Sequence, residues 1–163
     1  MQIIAATPQT DFAAVADLYY RTWQVAYRKL VPKAYLDSLT PATWHPEKRQ
    51  QNTLLAMDGD QIVGVCSFGP ARLAAYRGRG ELYSLYVDPQ SQHQGIGRAL
   101  LQAGLTRLAA QYATYYLVVL TGNLPAISLY KSAGFHATGI KREAPTPFGN
   151  LHEEIFANTP DFK

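Results

Sequence analysis

The stretch Glu81-Leu82-Tyr83-Ser84-Leu85-Tyr86-Val87-Asp88-Pro89-Gln90-Ser91-Gln92-His93-Gln94-Gly95-Ile96-Gly97-Arg98-Ala99-Leu100-Leu101 carries a strand, a stop and a helix start in succession. Leu82, Ser84 and Tyr86 alternate with Tyr83, Leu85 and Val87, the period of a strand covered on both faces, and Asp88-Pro89 ends it. Residues 92–97 form a tight glycine turn. The helix it opens, 96–111, repeats Leu100, Leu101, Leu105 and Leu108 at helical spacing. Such a turn exposes unpaired backbone N–H groups at the positive end of a helix dipole, a seat for an anion. Glycine at 95 and 97 admits close backbone approach, and Arg98 adds charge at the same end. By itself, a G-x-G turn reads more readily as a device for packing the helix. The dinucleotide pattern G-x-G-x-x-G fails because Ala99-Leu100 follows with no third glycine, and no G-x-x-x-x-G-K-[ST] loop occurs. Any anion here therefore sits in a different kind of cradle.

Outward from this stretch, strands and helices alternate. Residues 2–5 read as a first strand. Residues 11–28 read as a helix, with Phe12, Val15, Ala16, Tyr19, Trp23 and Tyr27 on its apolar face and Thr10 as its cap. Pro32 and Pro41 divide the next region into short pieces. Residues 53–57 and 61–68 are β-rich around Asp58-Gly59, a hairpin signal. Residues 71–80, with Arg72, Arg77, Arg79, Gly78 and Gly80, read as a mobile loop. A continuous apolar strand is expected at 114–120. A helix follows at 125–132, with Asn123 at its mouth and Gly134 just past its end. Two more strands follow at about 137–143 and 148–157, with Pro145, Pro147, Gly149 and Asn150 at the bends. The class is mixed α/β around one sheet in one domain spanning 1–163.

The totals narrow the function classes. The chain has 163 residues, 47% apolar and 17% charged, with net charge +3. That composition suits a single core and excludes disorder. No apolar run approaches the ~20 residues of a membrane span. Met1-Gln2-Ile3-Ile4 lacks the basic and apolar regions of a signal peptide. The single cysteine, Cys66, has no internal partner, so a reducing, cytoplasmic setting is expected, and its apolar strand makes it a packing residue. His45, His93, His136 and His152 lack ligand spacing, so no metal site is expected. A mild positive charge helps attract an anionic small molecule but gives no clustered basic face for nucleic acid.

The pattern Gln92-x-x-Gly95-x-Gly97-Arg98-x-Leu100-Leu101 after its strand resembles the acetyl-coenzyme A motif of the GNAT N-acetyltransferase superfamily, Gln/Arg-x-x-Gly-x-Gly/Ala. A second family motif follows in order, Asn123-x-x-Ala126-x-x-Leu129-Tyr130-x-x-x-Gly134-Phe135. Trp23 and Tyr27, the Asp58-Gly59 hairpin with Gly64, and the final strands also fall where that family has them. The resemblance implies the GNAT fold: a single mixed, mostly antiparallel sheet, splayed where 81–87 meets 114–120 and flanked by helices. It implies acetyl-CoA as cosubstrate, with its pantetheine arm against the backbone of Leu85, Tyr86 and Val87. The pyrophosphate would meet the amides of Gln92, His93, Gln94, Gly95, Ile96, Gly97 and Arg98, with Asn123, Ala126 and Tyr130 completing the site.

The implied reaction moves an acetyl group directly to a primary amine of a small molecule or peptide. An alkylamine has a pKa near ~10.4, so its ammonium must lose a proton before attack. By the resemblance, Glu81 is the candidate base, through a water relay or with a raised pKa; its other reading is a strand-end charge paired with Arg79. Tyr130 is the candidate acid, by hydrogen bonding to the departing thiolate; its other reading is aromatic packing. Trp23, Tyr27 and Tyr83 are candidate acceptor contacts, with a core-facing stripe as the alternative for the first two. Glu153 or Glu154 would attract a cationic acceptor or merely keep an edge strand soluble. The loop from Arg72 to Arg79 would reach the coenzyme's 3′-phosphate or the acceptor, or be solvated. The expected partner is thus an amine, with no nucleic acid and no membrane, and a homodimer is compatible with the reading. The rivals are a non-enzymatic acyl-CoA sensor on the same fold and a basic nucleic-acid binder.

Overall fold

Strand β4 (Gly80–Val87) is hydrogen-bonded on both sides and packed against side chains on both of its faces, which is why its sequence is largely apolar on both. The computed structural model describes residues Met1–Lys163. Beside β4 run β3 (Gln61–Pro70), β2 (Thr53–Asp58) and β1 (Gln2–Ala5), each antiparallel to its neighbour. On the other side lie β5 (Tyr115–Leu120), β7 (Gly149–Ala157) and β6 (His136–Thr146). The seven-stranded order is β1-β2-β3-β4-β5-β7-β6, and only β4 and β5 are parallel. Because β6 is an edge strand, it tolerates Pro145.

Helix α1 (Phe12–Ala26) and the short α2 (Lys33–Ser38) cover one face of the sheet, and α3 (Ile96–Ala109) and α4 (Leu124–Ser132) cover the other. The alternation of adjacent strand residues distributes the core between the faces. Leu55 and Val65 pack under Val15, Leu18 and Tyr19 of α1. Leu54, Cys66 and Phe68 pack under Leu100, Leu101, Leu105 and Leu108 of α3. Helix α3 lies close to the sheet because Gly104 has no side chain: a Cβ there would come within 2.7 Å of the Cys66 sulfur.

Several local expectations are corrected. The cap of α1 is Asp11, whose carboxylate accepts from Ala14 N–H at 3.0 Å; Thr10 instead closes the preceding turn onto Thr7 N–H. The first hairpin turns on Gly59 and Asp60, since Asp58 already pairs with Gln61. The 71–80 loop is anchored, not free: Ala71 N–H donates to Arg79 C=O, Tyr76 is buried, and Arg72 turns inward.

The largest departure is a β-bulge. Ser67 pairs with Ser84, but the next residue, Phe68, pairs with Leu82, leaving Tyr83 as an extra residue in β4. An inserted residue reverses the faces on one side of it. Leu82 consequently joins Leu85 and Val87 beneath α3, instead of sharing a face with Ser84 and Tyr86. Glu81 is turned the same way as Ser84 and Tyr86.

Candidate active site

β4 and β5 pair over only three positions, Gly80–Tyr115, Glu81–Tyr116 and Leu82–Leu117. Beyond them the strands part. The gap opens a cavity of about 1100 Å³ that runs through the sheet, lined from both helical layers. Of the residues singled out from sequence, Trp23, Tyr27, Glu81, Tyr83, Leu85, Tyr86, Val87, Gln92, His93, Gly95, Ile96, Gly97, Asn123, Ala126 and Tyr130 line it; Gln94 and Arg98 do not.

At one end lies the glycine turn. Gly95 caps α3 with φ +81°, and His93 also has positive φ, at 62°. Glycine adopts the left-handed region without strain, which allows the chain to turn sharply into the helix. No N–H from Gln92 to Arg98 donates to a backbone carbonyl, so the amides at the mouth of a 14-residue helix are open to a ligand. The Gln92 side chain faces inward and donates to Val87 C=O at 3.2 Å, tying the turn to the strand end. Asp88 accepts from Gln90 N–H at 2.9 Å and is ion-paired with Arg21 of α1, which holds the same corner from the other layer.

Across the gap, Asn123 caps α4 through its side-chain carbonyl, which accepts from Ala126 N–H at 3.4 Å. That carbonyl therefore has one lone pair engaged within the protein, and its second lone pair and the amide NH₂ remain for an outside partner. Two turns after this cap α4 presents Tyr130, buried between the layers. Burial raises its pKa above the ordinary tyrosine value, and neighbouring Tyr86 and Cys66 add to the effect, so it stays a hydroxyl donor at neutral pH. Tyr86 is itself raised by burial and by Tyr27. Tyr130 belongs to the α3 layer and Tyr86 to the α1 layer. They influence each other because the sheet is open between them.

Glu81 is buried and heavily engaged. Its Oε1 accepts from Arg72 Nε at 3.0 Å and Nη2 at 2.6 Å, and its Oε2 accepts from Arg72 N–H at 2.8 Å and the Tyr116 hydroxyl at 2.7 Å. The partner expected for it, Arg79, instead stacks on Phe162 at 4.3 Å and Tyr76 at 5.4 Å. With both oxygens hydrogen-bonded, the carboxylate pins the Arg72 loop. Sequence spacing did not reveal Arg72 or Tyr116 as its partners, because Arg72 folds back from the 71–80 loop and Tyr116 reaches it across the sheet.

The far end of the cavity is aromatic. Trp23 packs against Tyr27 (ring centroids 4.4 Å), Trp44 (5.7 Å) and Tyr35 (6.2 Å), and its indole N–H donates to the Tyr86 hydroxyl at 3.1 Å. Tyr83, the bulge residue, donates to Pro70 C=O and carries the guanidiniums of Arg72 and Arg49 over its ring at 4.5 and 4.9 Å. Glu153 and Arg142 also line this end; Glu154 does not. Cys66 lies under α3, where burial pushes its thiol up to about 12, so it is no ready acyl carrier. No group of histidine, cysteine or carboxylate side chains in the structure is arranged to hold a metal ion. No helix is long and apolar enough to cross a membrane.

Comparison with known proteins agrees with this architecture. The sequence profile of the acetyltransferase (GNAT) family matches residues 12–135. The chain is 31% identical over 131 residues to the ribosomal protein bS18-alanine N-acetyltransferase of Escherichia coli K12, covering 72% of this chain and 88% of that one. It is 30% identical over 147 residues to a Mycobacterium tuberculosis protein named as an N-acetyltransferase, Rv2775, covering 85% and 82%. Its fold matches that of the acetyltransferase yncA of Salmonella typhimurium, solved with acetyl-CoA, with a TM-score of 0.73, 22% identity and coverage of 100% and 95%. The chain belongs to the acetyltransferase (GNAT) family, among its N-acetyltransferases.

Proposed function

We propose that this protein transfers an acetyl group from acetyl-CoA directly to a primary amine of a small molecule or peptide. The observation that carries the proposal is the early parting of β4 and β5, which joins the open amides of the glycine turn, Tyr130 and the aromatic pocket in one cavity. The residues present fit the cosubstrate. An added Cβ at Gly95 meets nothing within 4 Å, so the cradle is open, and its unpaired amides suit a pyrophosphate. The unpaired edges of β4 and β5 suit an extended arm carrying amides. When bound, acetyl-CoA supplies an activated thioester carbonyl.

The chain's own groups then do three things. The turn and the strand edges fix the thioester's position, which removes much of the entropic part of the barrier. The Tyr130 hydroxyl, kept protonated by its burial, donates to the sulfur as negative charge grows there. The aromatic pocket of Trp23, Tyr27 and Tyr83 orients the amine. Glu81 orders the Arg72 loop at the pocket's rim and is not the direct base in this proposal, because Arg72 and Tyr116 already bond both of its oxygens. The relatives' named acceptor, the alanine of a ribosomal protein, supports a peptide amine within the candidate range.

The test is an amine panel assayed by release of the coenzyme A thiol, alongside Gly97→Glu. A Cβ at Gly97 meets only Val87 and Leu129 at 3.6 and 3.7 Å, so the variant should fold while placing a charge in the cradle. It should lose acetyl-CoA binding by calorimetry. Unchanged affinity would overturn the placement of the cosubstrate.

A further inference from the structure

Once Glu81 is committed to Arg72, the amine has no evident group to receive its proton. The cavity contains one other carboxylate, Glu153 of β7. Residues 151 and 153 face the cavity, while His152 and Glu154 point away, as strand alternation requires. Glu153 lies opposite Leu120 of β5 and Arg142 of β6, beside the gap in the sheet. Its side chain is 17% exposed. Arg142 Nη1 comes within 3.4 Å of Oε2 without hydrogen-bond geometry, so this buried oxygen has no donor. A buried carboxylate oxygen without a donor is costly, and an incoming ammonium would satisfy it.

We propose that Glu153 is the group that receives the acceptor's ammonium, orients it and takes its proton, so that the preferred acceptor is a cationic alkylamine with an apolar body. This deepens the acetyltransferase reading above and rests on it. The proton passes from the ammonium nitrogen to a Glu153 oxygen; the freed lone pair forms the new C–N bond as the C–S bond breaks, and the nitrogen's second proton passes through solvent to the departing sulfur, leaving a neutral amide and a free thiol. The thiolate leaves with a hydrogen bond from Tyr130. Glu153 returns its proton to solvent. The apolar body lies against Trp23 and Trp44, whose rings also favour a nearby cation.

The charged and titratable groups facing Glu153 are Arg142 from β6, Arg72 from the 71–80 loop, Glu81 from β4 and Tyr35 from α2. Burial raises the Glu153 pKa, Arg142 and Arg72 oppose that rise, and Glu81 adds to it. The net upward direction makes it a better proton acceptor than an ordinary glutamate.

The experiment compares Glu153→Gln and Glu153→Asp with the wild type on 2-phenylethylamine and on O-benzylhydroxylamine, an isostere whose amine is uncharged at neutral pH. Glu153→Gln should lower kcat/KM for 2-phenylethylamine by about 10²-fold, with O-benzylhydroxylamine changed by less than about threefold. Glu153→Asp should recover part of the loss. In the wild type, the rate with 2-phenylethylamine should rise as Glu153 deprotonates; in the glutamine variant it should instead follow the amine's own pKa, near ~10. Calorimetry without acetyl-CoA should show 2-phenylethylamine binding the glutamine variant more weakly, while acetyl-CoA affinity stays unchanged. Equal losses on both probes would mean that Glu153 only packs the pocket, and no loss would remove it from the reaction; either result overturns the inference. A wild type that binds acetyl-CoA yet ignores 2-phenylethylamine also overturns it, while leaving transfer to other amines standing. A wild type that acetylates no amine overturns both readings.

Discussion

Tyr130 is buried in the layer formed by α3 and α4, yet it feels the hydroxyl of Tyr86 from the opposite layer. That electrostatic influence crosses between the layers where the sheet opens. Burial raises its pKa, so the hydroxyl remains a donor throughout the neutral range and is lost only above the ordinary tyrosine value. The expected result for Tyr130→Phe is a fall in kcat of about 10²-fold or more with unchanged acetyl-CoA affinity. Because Tyr130 does not titrate there, the ratio of wild-type to variant rates should be flat from about pH 6 to 9. Rates measured across that range check both statements. Glu81 illustrates the opposite case. Its place at the head of a central strand suggested a base, but a partner nine residues earlier and another on β5 occupy it. Spacing along the chain carries no information about a guanidinium that folds back or a hydroxyl that arrives across a sheet.

The glycine turn and its helix were legible as an element because the signals are local: a stop at Asp88-Pro89, a glycine at the left-handed cap and leucines at helical spacing. The cap at Gly95 is a conformational requirement. Gly95→Ala places a Cβ at φ +81° where nothing obstructs it, so the cost is backbone strain alone, about 1–2 kcal/mol. Urea unfolding of this variant should give a lowered midpoint with an unchanged slope; a stability equal to the wild type would refute the strain argument. The bulge at Tyr83 was not legible. The alternation 82–87 reads as one unbroken strand, but β3 imposes an extra residue on it. A single inserted residue moves Leu82 under α3 and turns Glu81 toward the cavity.

At the scale of the whole molecule, the cavity separates two layers that otherwise have their own cores. A ligand that binds there joins them and should stabilise the folded state. At a concentration of 100 times Kd, acetyl-CoA should contribute about 2.7 kcal/mol, raising Tm by about 5–10 °C for a chain of this size. Thermal melts with and without acetyl-CoA measure this directly. Gly97→Glu should melt close to the wild type and lose the shift. A shift that survives in Gly97→Glu would place the ligand somewhere other than the turn.

The sequence by itself determined the order of the main strands and helices, the mixed α/β class, the glycine turn and the aromatic character of α1, because periodicity, capping and turn chemistry act over a few residues. Only the tertiary structure decided that β4 and β5 part after Leu82, and which carboxylate is fully hydrogen-bonded and which keeps an oxygen without a donor. Glu81 and Glu153 are both strand glutamates. What separates them is that Arg72 and Tyr116 reach one with full hydrogen-bond geometry, whereas Arg142 leaves an oxygen of the other unbonded. Those partners are set by sheet register and by a bulge, which are properties of how distant segments meet and have no counterpart in local sequence.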